Sequence, residues 1–164
     1  MDNPLAIFEA NKEVSTIEMN AMVVQLQDRL MEMEQVEIVT LHKFLPGIYE
    51  RTIIIPPWTV LTGAEHRTAY KVRLERGTIA VSTDADVKIL TGPFEFDAPA
   101  GFQRAGRVFE EEVVWTDIYA NPDNCRNIEE LENKLYVVPD IGLGEYRQLI
   151  KGELLCRDSG QQQL

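Results

Sequence analysis

The chain has 164 residues, which is enough for one hydrophobic core and too little for two full domains. Its hydrophobic fraction of 45% and charged fraction of 26% are those of an ordinary globular chain and exclude a disordered or fibrous protein. The 16 basic and 27 acidic residues give a formal net charge of -11, which disfavours binding to nucleic acid or to anionic membranes.

Targeting signals and paired cysteines are not evident. No segment reaches the roughly 18 apolar residues that a membrane span needs, and the first residues do not resemble a signal peptide. We therefore expect a cytoplasmic protein. Cys125 and Cys156 are isolated thiols without CxxC spacing, so we predict that both are reduced and structural.

The first helix is predicted by a capping box, in which Ser15 precedes Glu18 by three residues. The apolar residues that follow recur three and four apart, at Met22, Val23, Leu26, Leu30 and Met33. Such a stripe needs an apolar partner surface. Two partners are open at this point: the chain's own β-structure, or the same helix of a second copy.

From residue 36 the pattern changes to short β-rich runs that are separated by proline and glycine. The predicted strands are Val36–Phe44, Tyr49–Ile55, Thr59–Glu65, Ala69–Glu75, Thr78–Ser82, Val87–Leu90, Phe94–Asp97, Gly101–Val108 and Glu112–Tyr119. Many short strands without a helix between them predict an all-β fold, an antiparallel sandwich or barrel.

Helical spacing returns near the C-terminus, where Asn127 is the predicted N-cap. The predicted apolar face consists of Ile128, Leu131 and Leu135. A last short helix is predicted from Gly144 to about Leu155. The expected organisation is therefore an N-terminal helical extension over residues 1–35, a β-barrel over 36–120 and a C-terminal helical extension over 121–164.

The segment from Trp58 to Gly77 is similar in spacing to a known motif, which reads glycine, five residues, His-x-His, three or four residues, glutamate, six residues, glycine. This is the first motif of the cupin family. On this chain its opening glycine falls on Trp58, its two histidines on Ala64 and His66, its glutamate on Tyr70 and its closing glycine on Gly77.

The second cupin motif resembles the segment from Gly92 to Val108, with one extra residue before Pro99-Ala100-Gly101. Its histidine falls on Arg104 and its asparagine on Val108. With Ile55-Pro56-Pro57 and Val114-Trp115-Thr116, the region from Tyr49 to Asn121 resembles small cupin-like proteins that are common in bacteriophage genomes.

The resemblance implies a cupin-type antiparallel double-stranded β-barrel with flanking helices. Independently of the family, Gly77 and Gly101 suit backbone positions with positive φ. The metal ligands of the family are mostly replaced: Ala64 offers no donor atom, the phenol of Tyr70 stays protonated and Arg104 repels a cation. We therefore predict neither a metal nor another cofactor.

Strand alternation places Thr62, Ala64 and His66 on one face, and Tyr70, Val72 and Leu74 on one face of the next strand. If these faces point inward, His66, Tyr70 and Arg104 form a cluster suited to a small anionic ligand. Trp115 or Tyr119 would stack on a ring of that ligand. The alternative is structural, with His66 and Tyr70 in the core and Arg104 paired with an acid of Glu110-Glu111-Glu112.

Three functions stay open. The first is a metal-free phage protein that binds a small anion in its barrel and sequesters a host signalling nucleotide. The second is a structural or assembly component of a phage particle. The third is a sugar-type isomerase that uses His66 and Tyr70 as base and acid. A homodimer or higher oligomer is expected from an exposed edge strand and the methionine-rich helix stripe.

Overall fold

The structure is a computed structural model that describes residues 16–83, 86–137 and 156–157. Its two helices are α1 (Thr16–Met31) and α2 (Ile128–Leu135). Its strands are β1 (Val39–Leu45), β2 (Ile48–Ile55), β3 (Thr59–Thr62), β4 (Tyr70–Arg76), β5 (Thr78–Ser82), β6 (Val87–Thr91), β7 (Phe94–Ala98), β8 (Ala105–Val108), β9 (Val113–Ala120) and β10 (Cys156–Arg157).

The strands form two antiparallel five-stranded sheets. Their orders are β1-β2-β9-β4-β7 and β10-β3-β8-β5-β6, so the chain crosses repeatedly between the sheets. Side chains from both sheets meet in one core, whose fully buried members include Val72, Leu74, Val108 and Val113. This is the double-sheet barrel arrangement of cupins, and it confirms the predicted all-β fold with flanking helices.

Strand β4 has the predicted alternation. Tyr70, Val72 and Leu74 point into the core, and Lys71 is exposed on the outer face. Arg73 shares that outer face, where its guanidinium lies 3.0 Å from the Glu95 carboxylate and 3.4 Å from that of Glu50. The basic stretch around Arg73 is therefore part of a surface ion-pair group.

The predicted positive φ angles are also present. Gly77 has φ +89°, and a Cβ atom there would lie 2.5 Å from the carbonyl oxygen of Glu112. Gly101 has φ +79° in open space. Trp58, at the position of the motif's opening glycine, has φ +59°. The backbone thus keeps a conformation that favours glycine, although the residue is tryptophan.

Three strands are shorter than predicted. Strand β1 starts at Val39 rather than Val36, and β3 and β8 are shortened because neighbouring segments take their hydrogen bonds. Strand β8 starts at Ala105 rather than Gly101, since the Asn20 amide donates to the Gly101 carbonyl and accepts from the Gln103 backbone, each at 2.8 Å. Strand β3 ends at Thr62 rather than Glu65, whose carbonyl instead accepts from Val137 at 2.9 Å. Long-range contacts therefore set both boundaries.

The apolar stripe of α1 packs on the chain's own barrel. Met19, Val23, Leu26 and Leu30 are between 0 and 6% exposed. Their partners are Val60, Ala80, Phe102 and Ala105. The partner surface of the stripe is therefore the chain's own β-structure. The alternative, that the stripe pairs with the same helix of a second copy, is wrong because the stripe is already buried. Ser15 lies outside the described residues.

Helix α2 begins as predicted, since the Asn127 side chain accepts from the backbone N–H of Glu130 at 3.1 Å. Leu131 and Leu135 are buried and Ile128 packs against the same core. The helix predicted from Gly144 lies outside the described residues. Neither described helix has the length and apolar character of a membrane span.

The packing of α1 predicts a large difference between two adjacent valines. Val23 is fully buried and Val24 is 45% exposed. Val23→Ala should lower the free energy of unfolding by roughly 2 kcal/mol through lost burial and a residual cavity, and Val24→Ala by less than about 0.5 kcal/mol. Chemical denaturation of the two variants measures this difference. Equal effects would contradict the placement of the stripe on the barrel.

Candidate functional site

An interior cavity of about 110 Å³ lies between the two sheets. Most of its wall is apolar and includes Ile38, Ile53, Ile55, Leu61, Ile79 and Val81. Its polar and ionisable lining consists chiefly of Arg51, His66, Tyr70, Arg104, Asp117 and Tyr136. Polar groups in such a wall are where binding or chemistry is expected.

Two guanidinium groups and one carboxylate meet at this cavity. Arg51 comes from β2 and Asp117 from β9, and the antiparallel register places these two residues directly opposite each other. Burial by itself lowers the pKa of Arg51, but the neighbouring phenols and Asp117 together raise it above its ordinary value. Burial raises the pKa of Asp117, although the Trp115 indole and Arg51 counteract this effect. Arg51 therefore stays charged.

Arg104, which directly precedes β8, supplies the second guanidinium. Its carbon atom Cζ lies 5.3 Å from the ring centre of Phe96 and 4.9 Å from that of Phe102. Nη1 donates to the Ser82 carbonyl at 3.4 Å, while the buried Nε has no hydrogen-bond partner among the described residues. The proposed pairing of Arg104 with the acidic run 110–112 is wrong, because Arg104 faces the cavity and the Glu112 carboxylate binds Arg76.

Tyr119 lies at the centre of a hydrogen-bond network behind the cavity wall. Its hydroxyl lies 2.8 Å from His66 Nε2 and 3.3 Å from the Tyr136 hydroxyl, and it donates to Asp117 Oδ2 at 3.1 Å. The indole N–H of Trp115 donates to the other oxygen of Asp117 at 2.8 Å. These bonds hold the Asp117 carboxylate in one orientation.

His66 and Tyr70 are stacked and uncharged. Their ring centres lie 4.0 Å apart with an angle of 20° between the planes. Burial, with a further contribution from the charge of Arg51, lowers the pKa of His66 to about 3. Burial raises the pKa of Tyr70, and the charge of Asp117 adds to this effect. Both side chains are therefore neutral near pH 7.

The C-terminal segment closes one side of the site. Tyr136 directly follows α2 and forms an isolated β-bridge with His66. Its carbonyl accepts from Arg67 Nε at 2.7 Å, and its hydroxyl accepts from Arg51 Nη1 at 3.4 Å. The position of α2 thus places the phenol of Tyr136 against Arg51.

The structure brings four of the five predicted site residues to one cavity: His66, Tyr70, Arg104 and Trp115. Tyr119 does not line it, so the expectation that Tyr119 stacks on a ligand is wrong; its ring instead packs between those of Tyr49 and His66. Ligand contact by the other four stays a prediction.

Three ionisable residues of the cavity wall are not predicted from the sequence: Arg51, Asp117 and Tyr136. Arg51 has the same strand parity as Tyr49, Ile53 and Ile55, so strict alternation along β2 identifies it. Asp117 shares the face of Trp115 and was not given a role. Tyr136 has no local signal, because its place depends on where α2 packs.

The family's metal site does not fit these residues. A divalent cation needs three or four imidazole, carboxylate or thiolate donors that converge on one point. Here the motif positions hold Ala64, a protonated Tyr70 and the positively charged Arg104, with only His66 as a donor. Among the described residues, no three His, Cys, Asp or Glu side chains are grouped to hold an ion.

No family model and no curated protein matches the sequence. Among solved structures, it is similar to the cupin domain of an XRE-family transcriptional regulator from Enterobacter cloacae, with 15% identity over 53% of this chain and 99% of that chain, and a TM-score of 0.46. A cupin domain from Bordetella pertussis has 16% identity over 54% and 98%, with a TM-score of 0.44. A cupin-2 protein from Shewanella frigidimarina has 12% identity over 63% and 99%, with a TM-score of 0.43.

The order and register of this chain's own strands define its fold.

The low pKa of His66 predicts acid destabilisation. The unfolded imidazole has the ordinary pKa of 6.5 and the folded one about 3, so the unfolded chain binds more protons between these values. The free energy of unfolding should therefore fall by roughly 1.4 kcal/mol per pH unit as the pH decreases below 6.5 toward 3. His66→Gln should remove this part of the slope.

Denaturant unfolding from pH 7 down to roughly pH 5 measures the slope for wild type and variant. His42→Gln is the matched control, because His42 is exposed and is the only other histidine. Parallel curves for wild type and His66→Gln would show that the folded imidazole titrates normally.

Proposed function

We propose that the protein binds a small monoanionic carboxylate inside its barrel. The observation that carries this proposal is the charge of the cavity, where Arg51 and Arg104 face one carboxylate, Asp117. Whether Asp117 is ionised or protonated, the described cavity wall keeps excess positive charge, inside a chain whose net charge is -11. A guanidinium binds a carboxylate through two parallel hydrogen bonds, and a buried charge without a partner is costly.

The cavity volume supports a small ligand. Its 110 Å³ lies well below the roughly 300 to 1,000 Å³ of pockets for drug-sized molecules and above the roughly 30 Å³ share of one water. An anion of a few heavy atoms matches this space, and a nucleotide does not. Sequestration of a host signalling nucleotide therefore has no support from the interior, and the phage connection stays a prediction.

The protonation states favour binding over catalysis. A general base is most effective when its pKa lies near the working pH, and the pKa of His66 is about 3. Tyr70 is a correspondingly weak acid, since burial raises its pKa. The isomerase alternative is therefore disfavoured. A purely structural role leaves the buried Nε of Arg104 without a hydrogen-bond partner among the described residues.

Titration of ¹⁵N-labelled protein with acetate tests the proposal, with acetamide as an uncharged analogue of the same size. Acetate should cause saturable shifts of amides around the cavity, and acetamide should not. Arg51→Gln and Arg104→Gln should each weaken acetate binding roughly tenfold or more, because each removes a charged hydrogen bond. Arg107→Gln, on β8 and three residues after Arg104 but outside the cavity wall, should leave it unchanged.

The folding of the variants is checked by thermal unfolding. Arg51→Gln leaves Asp117 without its cross-strand partner, so the double variant Arg51→Gln/Asp117→Asn serves as a stability-restoring companion. Acetate binding that is absent in wild type, or that is equal in the Arg107 and Arg104 variants, contradicts an interior carboxylate site.

We also propose that the expected dimer forms through strand β1. The helix stripe no longer supports it, but β1 is the end strand of its sheet, and Val39 and Leu41 are each 52% exposed there. An edge strand with exposed apolar side chains is a template for pairing with another chain. Antiparallel pairing of two β1 strands gives a closed, symmetric dimer.

Light scattering at high micromolar concentration should give the mass of a dimer for wild type and of a monomer for Leu41→Lys. Ile89→Lys is the control, since Ile89 is 67% exposed on β6, an end strand of the other sheet. A monomeric wild type, or a dimer that tolerates Leu41→Lys, excludes this interface.

A further inference from the structure

A second cavity of about 350 Å³ lies at the seam of the barrel. It opens between β6 and β7, which are consecutive in the chain but are end strands of opposite sheets. Its chemically distinctive wall residues are Lys88, Phe94, Phe96, Asp97, Phe102 and Arg104. We name this cavity, defined by those six residues, the seam cleft.

The seam cleft combines aromatic surface with positive charge. The rings of Phe94 and Phe96 lie 5.9 Å apart, and Phe94 is 44% exposed at the rim. Deeper in the cleft, Phe96 and Phe102 both contact the guanidinium of Arg104. The seam cleft therefore presents an exposed phenyl ring at its rim and a half-buried guanidinium in its wall.

The charges of the cleft wall favour a negatively charged ligand. Lys88 and Arg104 face the cleft together with one carboxylate, Asp97, so the described wall has excess positive charge. Lys88 forms no ion pair within the described part of the chain, and the buried Nε of Arg104 lacks a hydrogen-bond partner there. Lys88 and Arg104 are therefore the positively charged groups that the cleft wall offers to an anion.

The seam cleft has a larger volume than the interior cavity. At about 350 Å³ the seam cleft lies at the lower end of the range of pockets for organic ligands, roughly 300 to 1,000 Å³, which suits a ligand with a single ring. We infer that it is a binding site for a monocyclic aromatic carboxylate. The ring stacks on the exposed Phe94, and the carboxylate binds Lys88 and Arg104.

Benzoate is the probe, with benzamide as its uncharged analogue and cyclohexanecarboxylate as its non-aromatic one. Titration of ¹⁵N-labelled protein should give the tightest saturable binding with benzoate, with shifts at residues of β6 and β7. Lys88→Met should weaken benzoate binding roughly tenfold through loss of a charged contact, and Phe94→Ala roughly threefold to tenfold through loss of stacking. Both side chains are exposed, so their removal disturbs folding little.

Lys71→Met is the matched control, because Lys71 is an exposed lysine on the outer face of β4 and should leave benzoate binding unchanged. Absence of saturable benzoate binding, or binding that is insensitive to both Lys88→Met and Phe94→Ala, overturns the proposal. Equal affinity for benzoate and benzamide does so as well.

Benzoate binding at the seam cleft can be distinguished from acetate binding at the interior cavity. Arg51 does not line the seam cleft and Lys88 does not line the interior cavity. Arg51→Gln should therefore weaken acetate binding alone, and Lys88→Met should weaken benzoate binding alone. Failure of one pattern leaves the other intact.

Discussion

Two guanidinium groups inside an apolar barrel are the constraint on which the surrounding structure depends. Removing such a charge from water costs several kcal/mol even after relaxation, so it must be matched by nearby groups. Asp117 meets this need for Arg51 across the β2–β9 ladder, and the phenyl rings of Phe96 and Phe102 meet part of it for Arg104. The balance of charge in the described cavity wall stays positive, which is the physical basis of the proposed anionic ligand.

The carboxylate of Asp117 also organises the neutral groups around it. Trp115 and Tyr119 each donate to one of its oxygens, and Tyr119 connects it to His66 and Tyr136. Such a network fixes the polar groups in a low-dielectric interior. Burial, together with the charges of the two arginines, lowers the pKa of His66, so this side chain stays neutral in the cavity wall.

Arg104 connects the interior cavity with the seam cleft, since its side chain lines both. Its hydrogen-bond donors are therefore shared between the walls of two cavities. The ring contacts with Phe96 and Phe102 restrain its position between them.

Local pattern in the sequence determined the strands, the inward faces and the turns. The alternation of side chains along a strand identifies the inward-facing residues Thr62, Ala64 and His66, and likewise Tyr70 and Val72. The glycines at positions 77 and 101 indicate turns with positive φ. These properties depend on residues close in the chain. Tertiary structure alone decided that Arg51 lies opposite Asp117, that Tyr136 reaches the cavity and that the helix stripe covers its own barrel. Each of these depends on pairing between distant segments, for which a local periodicity has no signal.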